Sequence, residues 1–334
     1  MSLISFLFFL IFNYLILHFY ILFAKKRQIF SISNERSSHK GKVVSGAGII
    51  FGFVFLFIFY TQDFNKVFIM SFVSVIILFF SSFLDDVFEF KFYYKLLLQI
   101  ICLFFLIWGL GFNLIFFLPI FFYFLININV SNFMDGINGI SFLYFFIFFL
   151  SLMIIDVKIN LELFYTTNYF YKIILSGLLS FGFFNFRRKA VCFLGDVGSV
   201  SLGLLGSLCI IYYYCDLQVQ SIINYPYLIF LLFFIYYLDS FFTLLKRFLS
   251  KKNIFTPHKE HVYQFLANNY FKSHLAVSVL YACLQLIINI LVVVIVFSSN
   301  IILSKSLFVV LCFYLCMIIF SYFYIQKKVV KGNS

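Results

Sequence analysis

The chain has 334 residues, 64% of them hydrophobic and 11% charged, with a mean hydropathy of +1.08 and a formal net charge of +12. A soluble domain carries about 25% charged residues, so a water-soluble globule is excluded, and the apolar runs leave no stretch for a separate soluble domain. The seven cysteines form no CxxC pair and no Cys/His metal spacing, which reads as filler of helix interiors.

About 20 apolar residues of helix cross a bilayer core. Runs of that size centre near residues 13, 53, 75, 103, 122, 148, 178, 207, 235, 286 and 314, about eleven spans on that criterion. The expected fold is all-α, a polytopic integral membrane helix bundle forming a single transmembrane domain over 1–334. The first run, Leu3 to about Phe23, has no basic leader and no small-residue cleavage site, so it reads as a retained helix. Asn34-Glu-Arg-Ser-Ser-His39 then leads to Gly46-Ala-Gly48 at the start of the second helix. Leu84-Asp85-Asp86-Val-Phe-Glu89 ends the third helix and Lys95 opens the fourth. Asn129-Val-Ser-Asn132-Phe-Met-Asp135-Gly-Ile-Asn138-Gly139 ends the fifth, and Phe193-Leu-Gly195-Asp196-Val-Gly198-Ser199 opens the eighth. Asp239 and Arg247 lie on the ninth, followed by Pro257-His258-Lys-Glu-His261-Val-Tyr-Gln264.

Charge sets the orientation. An outside amino terminus and a cytoplasmic carboxyl terminus leave only Lys66, Lys158, Lys172 and Lys305 outside. The inverse topology violates the positive-inside bias almost completely. Cytoplasmic loops then fall near 24–46, 85–95, 130–139, 186–199 and 246–274, and every motif above lands on that face. The net positive charge is this topology signal; it attracts anionic head groups and needs no nucleic acid.

Acids do not follow that rule and carry more information. Glu35, Asp85, Asp86, Glu89, Asp135, Asp196, Asp239 and Glu260 all fall on the cytoplasmic side, several abutting apolar helices where an unpaired carboxylate is costly. Carboxylates converging from different helices suit Mg²⁺ or Mn²⁺ shared with a phosphate. Asp85 and Asp86, being adjacent, cannot both point the same way, so one is expected to hold metal while the other contacts substrate or takes a proton. Gly195-Asp196 with Ser199 at a helix start offers free N–H groups to an anion and a carboxylate to a cation. Glycines at 136, 139, 195 and 198 allow sharp turns or close approach to a phosphate. His258 and His261 share a face if their stretch is helical, and with Lys95 and Arg247 they suit a diphosphate. Asp239 is expected to pair with Arg247, two helical turns on. His18 reads as an interior residue of the first helix, and His274 as an interface residue capping a helix. Val262, Phe265, Leu266 and Tyr270 have helical spacing, fitting either a helix on the lipid surface or a cover on the bundle.

NERSSH with its following glycines, LDD, NFMDGING, GDVGS and PHKEHVYQ resemble, in this order and spacing, the polyprenyl-phosphate N-acetylhexosamine-1-phosphate transferases. The likeness covers about residues 31 to 266. It implies attack by undecaprenyl phosphate on a UDP-N-acetylhexosamine, releasing UMP, with Mg²⁺ or Mn²⁺, at the cytoplasmic face of a bacterial inner membrane. By the same resemblance Asp85, Asp86, Asp135 and Asp196 are catalytic, and Asp196 and Asp85 hold the metal. His39, Lys95, Asn129, Asn132, Asn138, Arg247, His258 and His261 bind substrate. A homodimer is admitted as a partner state. Asn138 stands where many members have Asp, and HKEHVYQ replaces the consecutive histidines of the pentapeptide-transferring branch. That places the chain nearer the enzymes initiating O-antigen and other surface glycans than the muramoyl-pentapeptide transferases. A transporter would place ionisable groups near the midplane and often repeat its halves; here they hug one face and no repeat is visible. A non-catalytic scaffold is the remaining alternative, and the four intact carboxylates argue against it.

Overall fold

The structure is a computed structural model that describes residues 3–32, 41–61, 66–88, 90–159, 167–219, 225–253 and 260–332. It is all helix except for one short antiparallel pair, β1 (Phe30–Ile32) with β2 (Lys42–Val44), in the register Phe30↔Val44. The helices are α1 (Leu3–Arg27), α2 (Gly52–Thr61), α3 (Lys66–Phe88), α4 (Phe92–Gly109), α5 (Leu114–Phe133) and α6 (Ile140–Ile159). They continue as α7 (Thr167–Asn185), α8 (Gly195–Val219), α9 (Phe234–Leu249), the short α10 (Val262–Phe265), α11 (His274–Phe297) and α12 (Ile301–Gly332). Among the described residues, nine helices are long and apolar enough to cross a membrane. Every expected centre falls inside a helix; those near 53 and 178 fall in the shorter α2 and in α7. Apolar side chains face outward, Ile4 at 82%, Ile302 at 78% and Phe320 at 73% exposure. A chain that shows water such a surface aggregates, so this one is a multi-pass membrane protein.

Two compact units interleave along the sequence. Of the described residues, 3–32, 41–135 and 167–207 form the first, and 136–159 and 208–332 the second. In the first, α1 packs on α7, α3 on α4, and α4 on α5. Hydrocarbon offers helices no hydrophobic reason to associate, so polar side chains crosslink them. Asn13 of α1 donates to Ser176 Oγ (2.9 Å) and Ile173 O (3.3 Å) of α7, and Lys172 donates to Ser5 Oγ at 2.7 Å. His18 corrects the expectation of an interior residue: it is exposed on α1 and stacked on Tyr14, four residues back on the same face.

In the second unit α11 packs on α6, α9 and α12. Residues Pro226–Phe233 form a tight three-residue-per-turn helix that passes into α9, and this change of winding strands backbone groups. Gln285 of α11 takes up the strain, accepting from Ile235 N–H (3.0 Å) and Tyr144 hydroxyl (3.0 Å) and donating to Leu231 O (2.9 Å). Irregular backbone at membrane depth persists only where such partners exist. The 262–270 stretch turns inward: Val262 and Leu266 are buried against the unit while Tyr270 is exposed, so the segment covers the bundle.

Candidate active site

The site in the first unit is built where three helices end. The last turn of α3 carries Asp85 and Asp86 and the first turn of α4 carries Lys95. The α8 start is fixed by backbone. Phe193 N–H donates to Val44 O (2.7 Å), Ala47 N–H to Phe193 O (3.0 Å), and Gly48 N–H to Leu194 O (2.8 Å). A Cβ at Gly48 would overlap the Gly198 Cα, so the GAG and GDVGS segments meet backbone to backbone only because both are glycine there.

Asp85 and Asp86 diverge, as adjacency requires. Asp85 is buried, accepts Phe90 N–H at 2.7 Å, and pairs with the Lys95 ammonium. Lys95 also reaches Asp196 Oδ2 at 3.0 Å, so the carboxylates of Asp85 and Asp196 share one ammonium. Asn132, at the end of α5, bonds Asp196 and donates to Ser199 Oγ at 3.2 Å. Asp85, Lys95 and Asp196 line a small cleft with Ser81, Ser82 and Gln99. About 20 Å³ of it is open to the centre of a water-sized sphere; one water needs roughly 10–15 Å³ on that measure. The cleft has room for one ion or water.

Asp86 behaves otherwise. Its Oδ1 accepts Asp196 N–H (2.9 Å) and Ser45 hydroxyl (3.1 Å), and its Oδ2 accepts Val197 N–H (3.0 Å). The N–H groups at the α8 start, expected to be free for a phosphate, are already taken by this carboxylate. Anions settle at helix N-termini because unpaired N–H groups and the helix dipole converge there, and here the chain supplies its own. Gly195, at φ +75°, leaves the space the carboxylate fills; a Cβ there would run into it.

The remaining predicted residues separate. Asn129 donates to Gln99 Oε1 at 2.9 Å and so backs the cleft wall. Asp135 follows the end of α5, its N–H on Asn132 O at 3.2 Å. In the second unit, Asn138 O accepts the Ser278 hydroxyl at 2.8 Å, and Asn138 N–H points at His274 Nδ1 at 3.5 Å. Ser273, not His274, caps α11, accepting Ala276 N–H at 3.3 Å. Arg247 is buried and binds Glu260 (3.0 Å), not Asp239. Two turns separate Asp239 and Arg247 by about 12 Å along the axis, beyond the neighbouring-turn contact that sharing a face implies. His261 is extended at φ −63° and ψ 143°, so it is not helical with His258, and its Nδ1 lies 3.0 Å from Asp239 Oδ1. His39 and His258 lie outside the described residues. Ser45 and Gln99 escaped sequence reasoning as site residues, the position of Ser45 immediately before Gly46-Ala-Gly48 being the one signal for either; Asp239 stood out as an acid but was read as a partner of Arg247.

Helix ends that gather carboxylates, an ammonium and a glycine-lined turn form a polar site at the ends of apolar helices, chemistry of the kind that suits a phosphate-bearing substrate. A family model described as glycosyl transferase family 4 matches residues 67–214, a range that holds Asp85, Asp86, Lys95, Asn132, Asp135 and Asp196. No curated protein matches the chain. Over those residues, somewhat under half of the chain, the protein is similar to glycosyl transferase family 4, which supports, in general terms, a polyprenyl-phosphate sugar-1-phosphate transferase that takes a lipid phosphate and a nucleotide sugar.

Proposed function

We propose that the protein transfers N-acetylhexosamine-1-phosphate from a UDP-sugar to undecaprenyl phosphate at the cytoplasmic face of a bacterial inner membrane, releasing UMP and initiating a surface glycan such as O-antigen. A lipid phosphate oxygen forms the new bond to the sugar-linked phosphorus, and the bond from that phosphorus to the UMP oxygen breaks. Transfer of this kind depends mainly on positioning and on stabilising charge. One observation carries the reading: carboxylates from α3 and α8 converge on the single Lys95 ammonium in a cleft the size of one ion.

The donor set fits Mg²⁺ or Mn²⁺. Magnesium takes one or two carboxylates, keeps several waters and completes its shell with substrate phosphate; Asp85 and Asp196 would hold it, and the ammonium between them is the cation they already bind. When bound, the metal would neutralise diphosphate charge. Lys95, displaced from the carboxylates, is placed to meet a phosphate oxygen. Asn132 orients Asp196. Asp86 serves the reaction by holding the α8 turn, which revises the direct chemical role expected for it. Asp135, Asn138, Arg247 and His261, with His39 and His258, are assigned to the nucleotide and sugar.

Purified protein in detergent, given undecaprenyl phosphate, Mg²⁺ and a panel of UDP-N-acetylhexosamines, is expected to release UMP. Release should require the lipid and vanish with EDTA or in Asp196→Ala. No release across the panel from folded protein, with deoxysugar and muramoyl-pentapeptide donors included, would overturn the reading.

A further inference from the structure

Asp239 sits in α9 with 0% exposure. Oδ1 lies 3.0 Å from His261 Nδ1 and accepts Val262 N–H at 3.2 Å; Oδ2 accepts Tyr263 N–H at 2.9 Å and the Tyr281 hydroxyl at 2.5 Å. An ionised carboxylate has no hydrogen to give, so the imidazole nitrogen facing it is the one that carries a proton. Three consecutive residues of the last cytoplasmic segment, 261 to 263, therefore hang on one buried side chain.

The chain of contact continues. The Tyr263 hydroxyl fills the place a Cβ would take at Gly136, and Gln264 Nε2 is 2.9 Å from the same point. Gly136 opens the Gly-Ile-Asn138 turn, whose far end α11 holds through Ser278. Residues 261–264 and the 136–138 turn are thus joined within one unit, with Asp239 beneath the joint. A carboxylate needed only to knit α9 to its neighbours would be satisfied by the Tyr281 hydroxyl. Aligning three loop donors on it instead fixes the loop's path and the ring's tautomer, as the partners behind metal-bound or catalytic imidazoles do.

We propose that Asp239 is a positioning residue for sugar-phosphate transfer: it fixes His261 as the Nδ1–H tautomer and sets the 261–263 backbone against the Gly136 turn. This rests on the assignment of His261 to the nucleotide sugar made above.

The test uses the full chain in detergent with ¹⁵N-labelled histidine, of which there are five, and His261→Gln to assign the signal. Nitrogen shifts and one-bond N–H couplings should show a proton on Nδ1 of His261. In Asp239→Asn the amide presents N–H groups as well as an oxygen, so the proton is expected to move to Nε2, with kcat/KM for UDP-N-acetylglucosamine falling roughly 10- to 100-fold. The Asp239→Asn/His261→Gln double variant should lose little more than the worse single change, the signature of residues acting as one unit. Tyr281→Phe removes the hydroxyl that donates to the same carboxylate and should lower Tm while the tautomer stays. A bare Nδ1 in the wild-type protein overturns the proposal whether or not Asp239→Asn folds, as do losses that multiply in the double variant. Wild-type protein with an Nδ1–H but no transfer of any sugar phosphate would sink the reaction reading and, with it, the positioning role, while leaving the tautomer assignment standing.

Discussion

Replacing Asp86 by alanine tests whether the second carboxylate of the pair is structural. The change removes the acceptor for the Asp196 and Val197 N–H groups and for the Ser45 hydroxyl. Loss of a capping side chain costs about 0.5–2 kcal/mol, loss of a charge beside a helix N-terminus about 0.3–1 kcal/mol, and an orphaned hydroxyl about 0.5–1.5 kcal/mol. Together these span roughly 1–5 kcal/mol and centre near 3, which at about 2–4 °C per kcal/mol lowers Tm by roughly 6–12 °C. Cys192 gives a local readout. It is fully buried beside β2, bridged to Val44, and burial pushes its thiol well above the usual range, so folded protein should resist maleimide there. In Asp86→Ala, labelling of Cys192 followed by mass spectrometry should accelerate, because the α8 start has lost its anchor. Asp86→Asn should fall between the two, since one amide oxygen replaces two acceptors. Gly195→Ala, which drives a Cβ into the same carboxylate, should not add fully to Asp86→Ala. Unchanged Tm and unchanged Cys192 protection in Asp86→Ala, with turnover abolished, would refute the capping role and return Asp86 to the reacting groups.

Lys95→Met should raise apparent Mn²⁺ affinity in the absence of substrate by on the order of tenfold or more, since two charges this close interact by several kcal/mol even at an effective dielectric of 20. Titration followed by the Mn²⁺ paramagnetic resonance signal measures this without turnover, and weakened binding would count against a cation site between Asp85 and Asp196. Glu260 gives a pH dependence: burial pushes its carboxyl up, but the Lys252 hydrogen bond and the charges of Lys252, Arg247 and Lys246 outweigh it and hold the carboxyl below its usual 4.5. A depressed carboxylate stabilises the fold fully above its unfolded value and less as pH falls through the folded one. The Tm gap between wild type and Glu260→Gln should therefore be widest near neutrality and close below about pH 4; a gap that widens in acid would contradict the network.

The helices were legible because their signal is length and apolarity, which the bilayer demands of every span. Asp85, Asp196 and Lys95 were legible too, because ionisable residues are rare at the ends of apolar helices and each stands at one. Partners were not. Asp239 and Arg247 share a helix, yet each is taken by a residue brought in from the last loop, His261 and Glu260. Helical spacing describes which residues share a face, and says nothing about what arrives opposite that face. His261 illustrates the same limit, since its backbone is set extended by a carboxylate 22 residues earlier.

Asp86 and Asp239 also show why counting acids overstates the chemistry of a membrane site. Each accepts two successive backbone N–H groups at the start of a helical segment, 196–197 for one and 262–263 for the other. In water those N–H groups would be solvated at little cost; near hydrocarbon each needs a partner from the chain, and a carboxylate placed there answers both the hydrogen bonds and the helix dipole. Replacing such an aspartate lowers activity through the fold, as replacing a ligand lowers it through the chemistry. Loss of activity on substitution therefore cannot separate Asp85 and Asp196, which converge on a cation, from Asp86 and Asp239, which converge on backbone. Cation affinity, tautomer and local thiol protection do separate them, because each reads one kind of partner and is blind to the other.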